Sequence, residues 1–342
     1  MHIRRRWGPW PVALTSDEGA LAIDAARLLV AMVVLAAVSV TDVRTRRAPN
    51  VAWYIAAGLG SAILVADLSM TGGGGWAVAL AFPVAAFFAV IVTGGELWPV
   101  MPEDDPDPDR ELSEREARTY IADLVASAVL VLGSLAVMWG AARELDDDAP
   151  VWAVASSVCT MLLALGFYAA RLLHGGGDAK AMMALAVIFP TYPVLGQLPL
   201  MAMPEGMGLL FPFALTVLVN AAIIGLLSPL AFLALSARSG DVRFPESLFG
   251  YPVAPDLVDE SRQWLMYEMD EVGRLSRHLW PRRSKAATEA RARALAHLRA
   301  QGAPHVHVTP KMPFMVPMLA GLLVAVVVGN LVLGAVLALV GV

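Results

Sequence analysis

Eight runs of about twenty mostly apolar residues recur along the chain, at 21–41, 51–67, 74–95, 119–142, 151–173, 179–199, 208–236 and 313–341. A helix rises about 1.5 Å per residue, so each run is long enough to cross roughly 30 Å of hydrocarbon. Such a chain has few choices, because a segment in lipid must satisfy its backbone internally. With 58% hydrophobic and 16% charged residues, and a mean hydropathy of +0.63, it reads as an all-α polytopic membrane protein of about eight transmembrane helices. The sixth run is interrupted by Pro190 and Pro193, which predict a kink or an early end. The first begins after Asp24 and Arg27 and has no small-x-small cleavage site leading into a soluble chain, so it reads as a retained helix and not a signal peptide.

Charge gives the orientation. With the N-terminus outside, Arg44, Arg46, Arg47, Arg110, Arg115, Arg118, Arg171, Lys180 and the basic residues of 238–311 all fall on the inner side, and the outer loops keep only Arg143. That asymmetry fits the positive-inside rule and predicts a multi-pass protein of the plasma membrane. Arg4 to Arg6 and Arg27 run against it. Arg44, Arg46 and Arg47 read as topology determinants.

Two polar segments interrupt the apolar pattern. Residues 102–118, "PEDDPDPDRELSEREAR", form an acidic loop. Residues 238–312 have prolines at 245, 252 and 255 and then two predicted helices, 256–280 and 282–301. The expected organisation is therefore membrane helices over 1–237, a small cytoplasmic helical subdomain over 238–312, and a last membrane helix over 313–342.

The net charge of −5 gives no basic surface for nucleic acid. The single cysteine, Cys159, excludes an intrachain disulfide, a CxxC pair and a cysteine-based zinc cluster. His305 and His307 alternate as on a strand, but two ligands are too few for a metal site, and they read as solvated. No metal and no cofactor is expected.

Carboxylates near membrane depth are costly and invite a functional reading. The candidates are Asp42, Glu96, Asp123 and Asp178. Four spans separate Asp42 from Asp178, so these two return to one face of the membrane whichever way the chain is oriented. Two aspartates at equal depth suit an aspartic protease, one serving as base for water and one as proton donor to the substrate carbonyl. Glu96 and Asp123 read as interfacial residues, and Asn220 in the seventh run reads as an interhelical hydrogen-bonder.

The flanking residues sharpen this. "TDVRTRRAPN", Thr41 to Asn50, sets an aspartate at the end of the first run and a Pro-Asn at the start of the second. "HGGGDAK", His174 to Lys180, contains Gly-x-Gly-Asp as Gly175, Gly177 and Asp178. Together these resemble the type IV prepilin peptidase family, with its aspartate of a D-x5-6-P-N pattern and a second in G-x-G-D. "VTPKMPFMVP", Val308 to Pro317, is similar to the archaeal prepilin and preflagellin branch. The resemblance implies a membrane aspartic endopeptidase that cleaves the leader peptides of pilin or archaellin precursors at the cytoplasmic face. Its catalytic pair is then Asp42 and Asp178. Gly175 and Gly177 are the motif glycines, expected to let a substrate backbone approach, and Lys180 either snorkels to the headgroups or supports the carboxylates. Two other classes fit part of the pattern: a proton- or cation-coupled transporter using the two aspartates, and a presenilin-like intramembrane protease sharing G-x-G-D.

Overall fold

The computed structural model describes residues 17–71, 73–93, 114–173, 175–201, 203, 207–279, 284–311 and 313–340. The chain divides into two compact units, one comprising Met1–Ala222 with Phe314–Val342 and the other Ile223–Pro313.

The first unit is helical. It contains α1 (Asp17–Thr45), α2 (Asn50–Met70), α3 (Gly74–Ala79), α4 (Ala81–Thr93), α5 (Glu114–Glu144), α6 (Ala149–Ala169), α7 (Gly176–Ile188), α8 (Met207–Leu210) and most of α9 (Phe213–Gly225). After the second unit come α13 (Met315–Val327) and α14 (Leu331–Val340). Among the described residues six helical stretches are long and apolar enough to cross a membrane, and the pair α13 and α14, bent by 49°, makes up to seven.

The predicted sixth span differs most. It is realised as the 13-residue α7, which stops at Ile188, ahead of Pro190 and Pro193, where a continuing helix would lack backbone donors. At about 20 Å, α7 is too short to cross alone. It is instead the centre of the bundle, with Ala179 and every residue from Ala181 to Ile188 buried. α2 packs close to it because a Cβ at Gly60 would stand 2.9 Å from Cγ1 of Ile188.

Polar groups inside the unit are paired. Arg27 is 2% exposed and donates to Asp24 Oδ1 at 3.1 Å and to Asp67 Oδ2 at 2.6 Å, tying α1 to α2. Asp24 Oδ2 accepts from the Val194 N–H at 2.8 Å, which fixes the chain after α7. At the bend between α13 and α14, Asn220 donates to the Gly329 carbonyl and accepts from the Leu331 N–H, the interhelical role the sequence predicts for it. The freed Val327 and Val328 carbonyls accept from Leu200 and Met201. A broken helix is tolerated at membrane depth only when its backbone groups find such partners.

The second unit corrects the expected helical subdomain. After α10 (Ser228–Arg238) and α11 (Glu246–Phe249) come β1 (Tyr251–Val253), β2 (Gln263–Leu265), β3 (Tyr267–Met269) and β4 (Leu275–Arg277), then α12 (Lys285–Ala300) and β5 (Val306–Pro310). The segment 256–280, predicted as a helix, holds three strands, whereas 282–301 is realised as α12. The cause is the Asp270–Gly273 turn. Gly273 takes a left-handed backbone with φ of 82°, and Asp270 Oδ1 accepts from the Val272 and Arg274 N–H groups. These bonds compete with helix and fold β3 onto β4, with Tyr267 opposite Arg277. β5 is the middle strand of the antiparallel order β1-β5-β2. Its central position buries His307 completely, against the expectation of a solvated histidine.

Candidate active site

The two motifs are built alike. α1 ends at Thr45, and Arg46 then adopts a left-handed backbone with φ of 55°, its N–H donating to the Asp42 carbonyl at 2.9 Å. The chain extends through Pro49, and Asn50 opens α2. α6 ends at Ala169, Arg171 is left-handed with φ of 58°, and the extended Gly175 caps α7. Asp178 lies in the first turn of α7.

The motifs meet at one end of the first unit. Lys180 Nζ donates to Asn50 Oδ1 at 2.9 Å, so Lys180 joins the second motif to the Pro-Asn of the first. A Cβ on Gly177 would stand 3.1 Å from Ala48 Cβ, and one on Gly175 would stand 2.8 Å from Asp178 Oδ2. The two glycines thus clear space for the opposite motif and for the Asp178 carboxyl itself.

Asp42 and Asp178 are both half-buried, and Asp178 lies within electrostatic reach of Asp42. Asp42 Oδ2 accepts from the Met315 N–H at 3.3 Å, and Ser39 Oγ donates to the Met315 carbonyl at 3.0 Å. The start of α13 therefore orients the first aspartate. The Arg46 guanidinium is close enough for its charge to act on Asp42, yet its Nε and Nη1 are shielded and have no hydrogen-bond partner among the described residues. Two carboxylates near one another and a cationic donor beside them are the groups needed to activate water and hold a carbonyl.

The other candidates lie elsewhere. Asp123 is exposed on α5. Glu96 and residues 102–113 of the acidic loop lie outside the described residues. The sequence reading took Arg46 only as a topology charge, whereas its guanidinium lies close enough for its charge to act on Asp42. The signal was available: the position after a helix end that favours glycine carries an arginine. The contribution of Met315 is a backbone N–H and leaves no trace in side-chain type.

Residues 243–331 match the family described as Archaeal Peptidase A24 C-terminus Type II. No curated protein matches the chain. The matched stretch runs from just before α11 through α13, the helix whose first N–H meets Asp42, to the first residue of α14. It supports assignment of this multi-helix membrane chain to the archaeal type IV prepilin peptidase family.

Proposed function

We propose that the chain is an aspartic endopeptidase that removes leader peptides from prepilin or preflagellin precursors at the cytoplasmic face of the plasma membrane, with Asp42 and Asp178 as its catalytic pair. The observation that carries this reading is the joining of the two aspartate motifs, through Lys180 and Asn50, with Asp178 in electrostatic reach of Asp42.

In this reading a water lies between the carboxylates. The ionised aspartate takes a proton from the water as its oxygen attacks the scissile carbonyl carbon. The protonated aspartate gives its proton to the carbonyl oxygen, forming a neutral gem-diol. Collapse returns that proton to the second aspartate while the first protonates the departing amine, breaking the C–N bond. Lys180 holds the motifs in register rather than taking part in proton transfer. The catalytic parts are all side chains of this protein, and no cofactor enters the scheme.

The test is co-expression with a tagged prepilin-type precursor, followed by intact-mass analysis of the product. A single cut at the leader junction supports the reading. A cut inside the precursor's apolar helix favours the intramembrane alternative, and an uncut precursor contradicts peptidase activity.

A further inference from the structure

We propose that Arg46 is a substrate-binding residue of the aspartate site, its guanidinium receiving a backbone carbonyl of the peptide that lies across Asp42 and Asp178. This rests on the peptidase reading above.

The backbone supplies the first argument. Arg46 follows the last residue of α1 with φ of 55°, a conformation that glycine enters freely and a residue with a Cβ enters at a cost. Helix ends commonly place glycine there for that reason. An arginine at this position is thus less favourable for the fold than glycine would be. Strain of this kind persists at sites where the side chain has a use.

The side chain supplies the second. Arg46 Nε and Nη1 are out of contact with solvent and have no hydrogen-bond partner among the described residues. A guanidinium presents its N–H groups in a fixed fork and cannot deprotonate, so shielded donors leave an unmet demand for oxygen acceptors. Asp42 does not meet it: neither of these nitrogens is bonded to its carboxylate, whose Oδ2 accepts instead from the Met315 N–H. Arg46 nevertheless lies close enough for its charge to act on Asp42. A peptide placed for attack at the dyad brings carbonyl oxygens, each with two lone pairs to offer, to the third guanidinium nitrogen, Nη2, which is not among the shielded atoms.

Arg171 provides an internal comparison. It has the same backbone state, φ of 58°, at the end of α6, but Arg171 is exposed where Arg46 is half-buried. A left-handed arginine before a motif is therefore not sufficient. The shielded, unfilled guanidinium beside Asp42 is what singles out Arg46.

The experiment uses the full chain reconstituted in liposomes and a synthetic peptide spanning a prepilin leader junction. It measures kcat and KM together with Tm for wild type, Arg46→Gly, Arg46→Lys, Arg171→Gly and Asp42→Asn. Arg46→Gly is expected to raise Tm by relieving the backbone while raising KM about tenfold or more, the loss typical of a hydrogen bond to a charged group, with a smaller change in kcat. Arg46→Lys should recover part of the affinity and none of the Tm gain. Arg171→Gly should raise Tm and leave both kinetic constants unchanged. The proposal is overturned if Arg46→Gly keeps KM within about twofold of wild type, the range of an ordinary surface change. It is also overturned if that variant lowers Tm, since the side chain would then serve the fold. If wild type fails to cleave, or Asp42→Asn cleaves as well as wild type, the peptidase reading itself falls and takes this proposal with it.

Discussion

The nearest side chain to Gly175 is that of Asp178, whose Oδ2 would stand 2.8 Å from a Cβ placed there. Gly175→Ala is expected to keep the fold, because its φ of −113° suits alanine, and to displace the Asp178 carboxyl. Cleavage should fall about tenfold or more, since a misplacement of around 1 Å at a reacting group is enough for that. Gly58→Ala, with nothing within 4 Å of the added Cβ, is the control and should leave the rate unchanged. A second residue-scale case is Arg27, whose guanidinium is held by Asp24 and Asp67 with all three side chains nearly fully buried. Removing it strands two carboxylates, so Arg27→Leu should cost about 3–5 kcal/mol, read as a large loss in Tm. In the sequence Arg27 was only an exception to the charge asymmetry. Its two partners sit 3 residues before it and 40 after it, and the second of these has no local signature.

Among the elements, α7 and the β3–β4 hairpin show what periodicity carries and what it does not. Pro190 and Pro193 mark the early end of α7 in the sequence, but the burial of nearly all its sides depends on α2, α4 and α6 arriving around it. The hairpin was misread as helix because Leu265 to Met269 is a continuous apolar and aromatic run broken only by Glu268, and such runs do not separate strand from helix. The informative residues were Asp270 and Gly273. Gly273→Ala, forcing a Cβ into φ of 82°, is expected to destabilise the second unit by about 1 kcal/mol. β5 gives a pH prediction. Burial holds the His307 pKa below its ordinary value, with Arg243 and Arg277 acting in the same direction and Asp241 and Glu246 against it. The folded unit therefore keeps His307 neutral while the unfolded chain takes up a proton first. Stability from this group is fully present above the unfolded pKa, about 6.5, and is lost as pH falls below it toward the folded value. Thermal unfolding of the second unit should accordingly move to lower temperature between about pH 7.5 and pH 5. His307→Leu should flatten that dependence, and an unchanged slope would remove His307 as its source.

At the scale of the whole molecule, the apolar runs and their order were legible because each is a property of the chain read along its length. The Lys180–Asn50 bond spans 130 residues and the Met315–Asp42 bond spans 273, so the closeness of the groups around the aspartates had to come from the fold. One further expectation rests on charge alone. Glu103 to Glu116 contains eight carboxylates, and leaders with basic residues would be steered toward them. Neutralising that segment should slow processing at low ionic strength and matter little at about 0.5 M salt, where screening is nearly complete at contact distances beyond a few ångströms. The central claim is that Asp42 and Asp178 together cut a precursor. It is tested most directly by mixing the purified full chain, in liposomes, with a purified prepilin-type precursor and following release of the leader by mass spectrometry for wild type, Asp42→Asn and Asp178→Asn. The account expects one cut at the leader junction for wild type and none for either variant, with the Tm of both close to wild type. Leader release at the wild-type rate by either folded variant would contradict it.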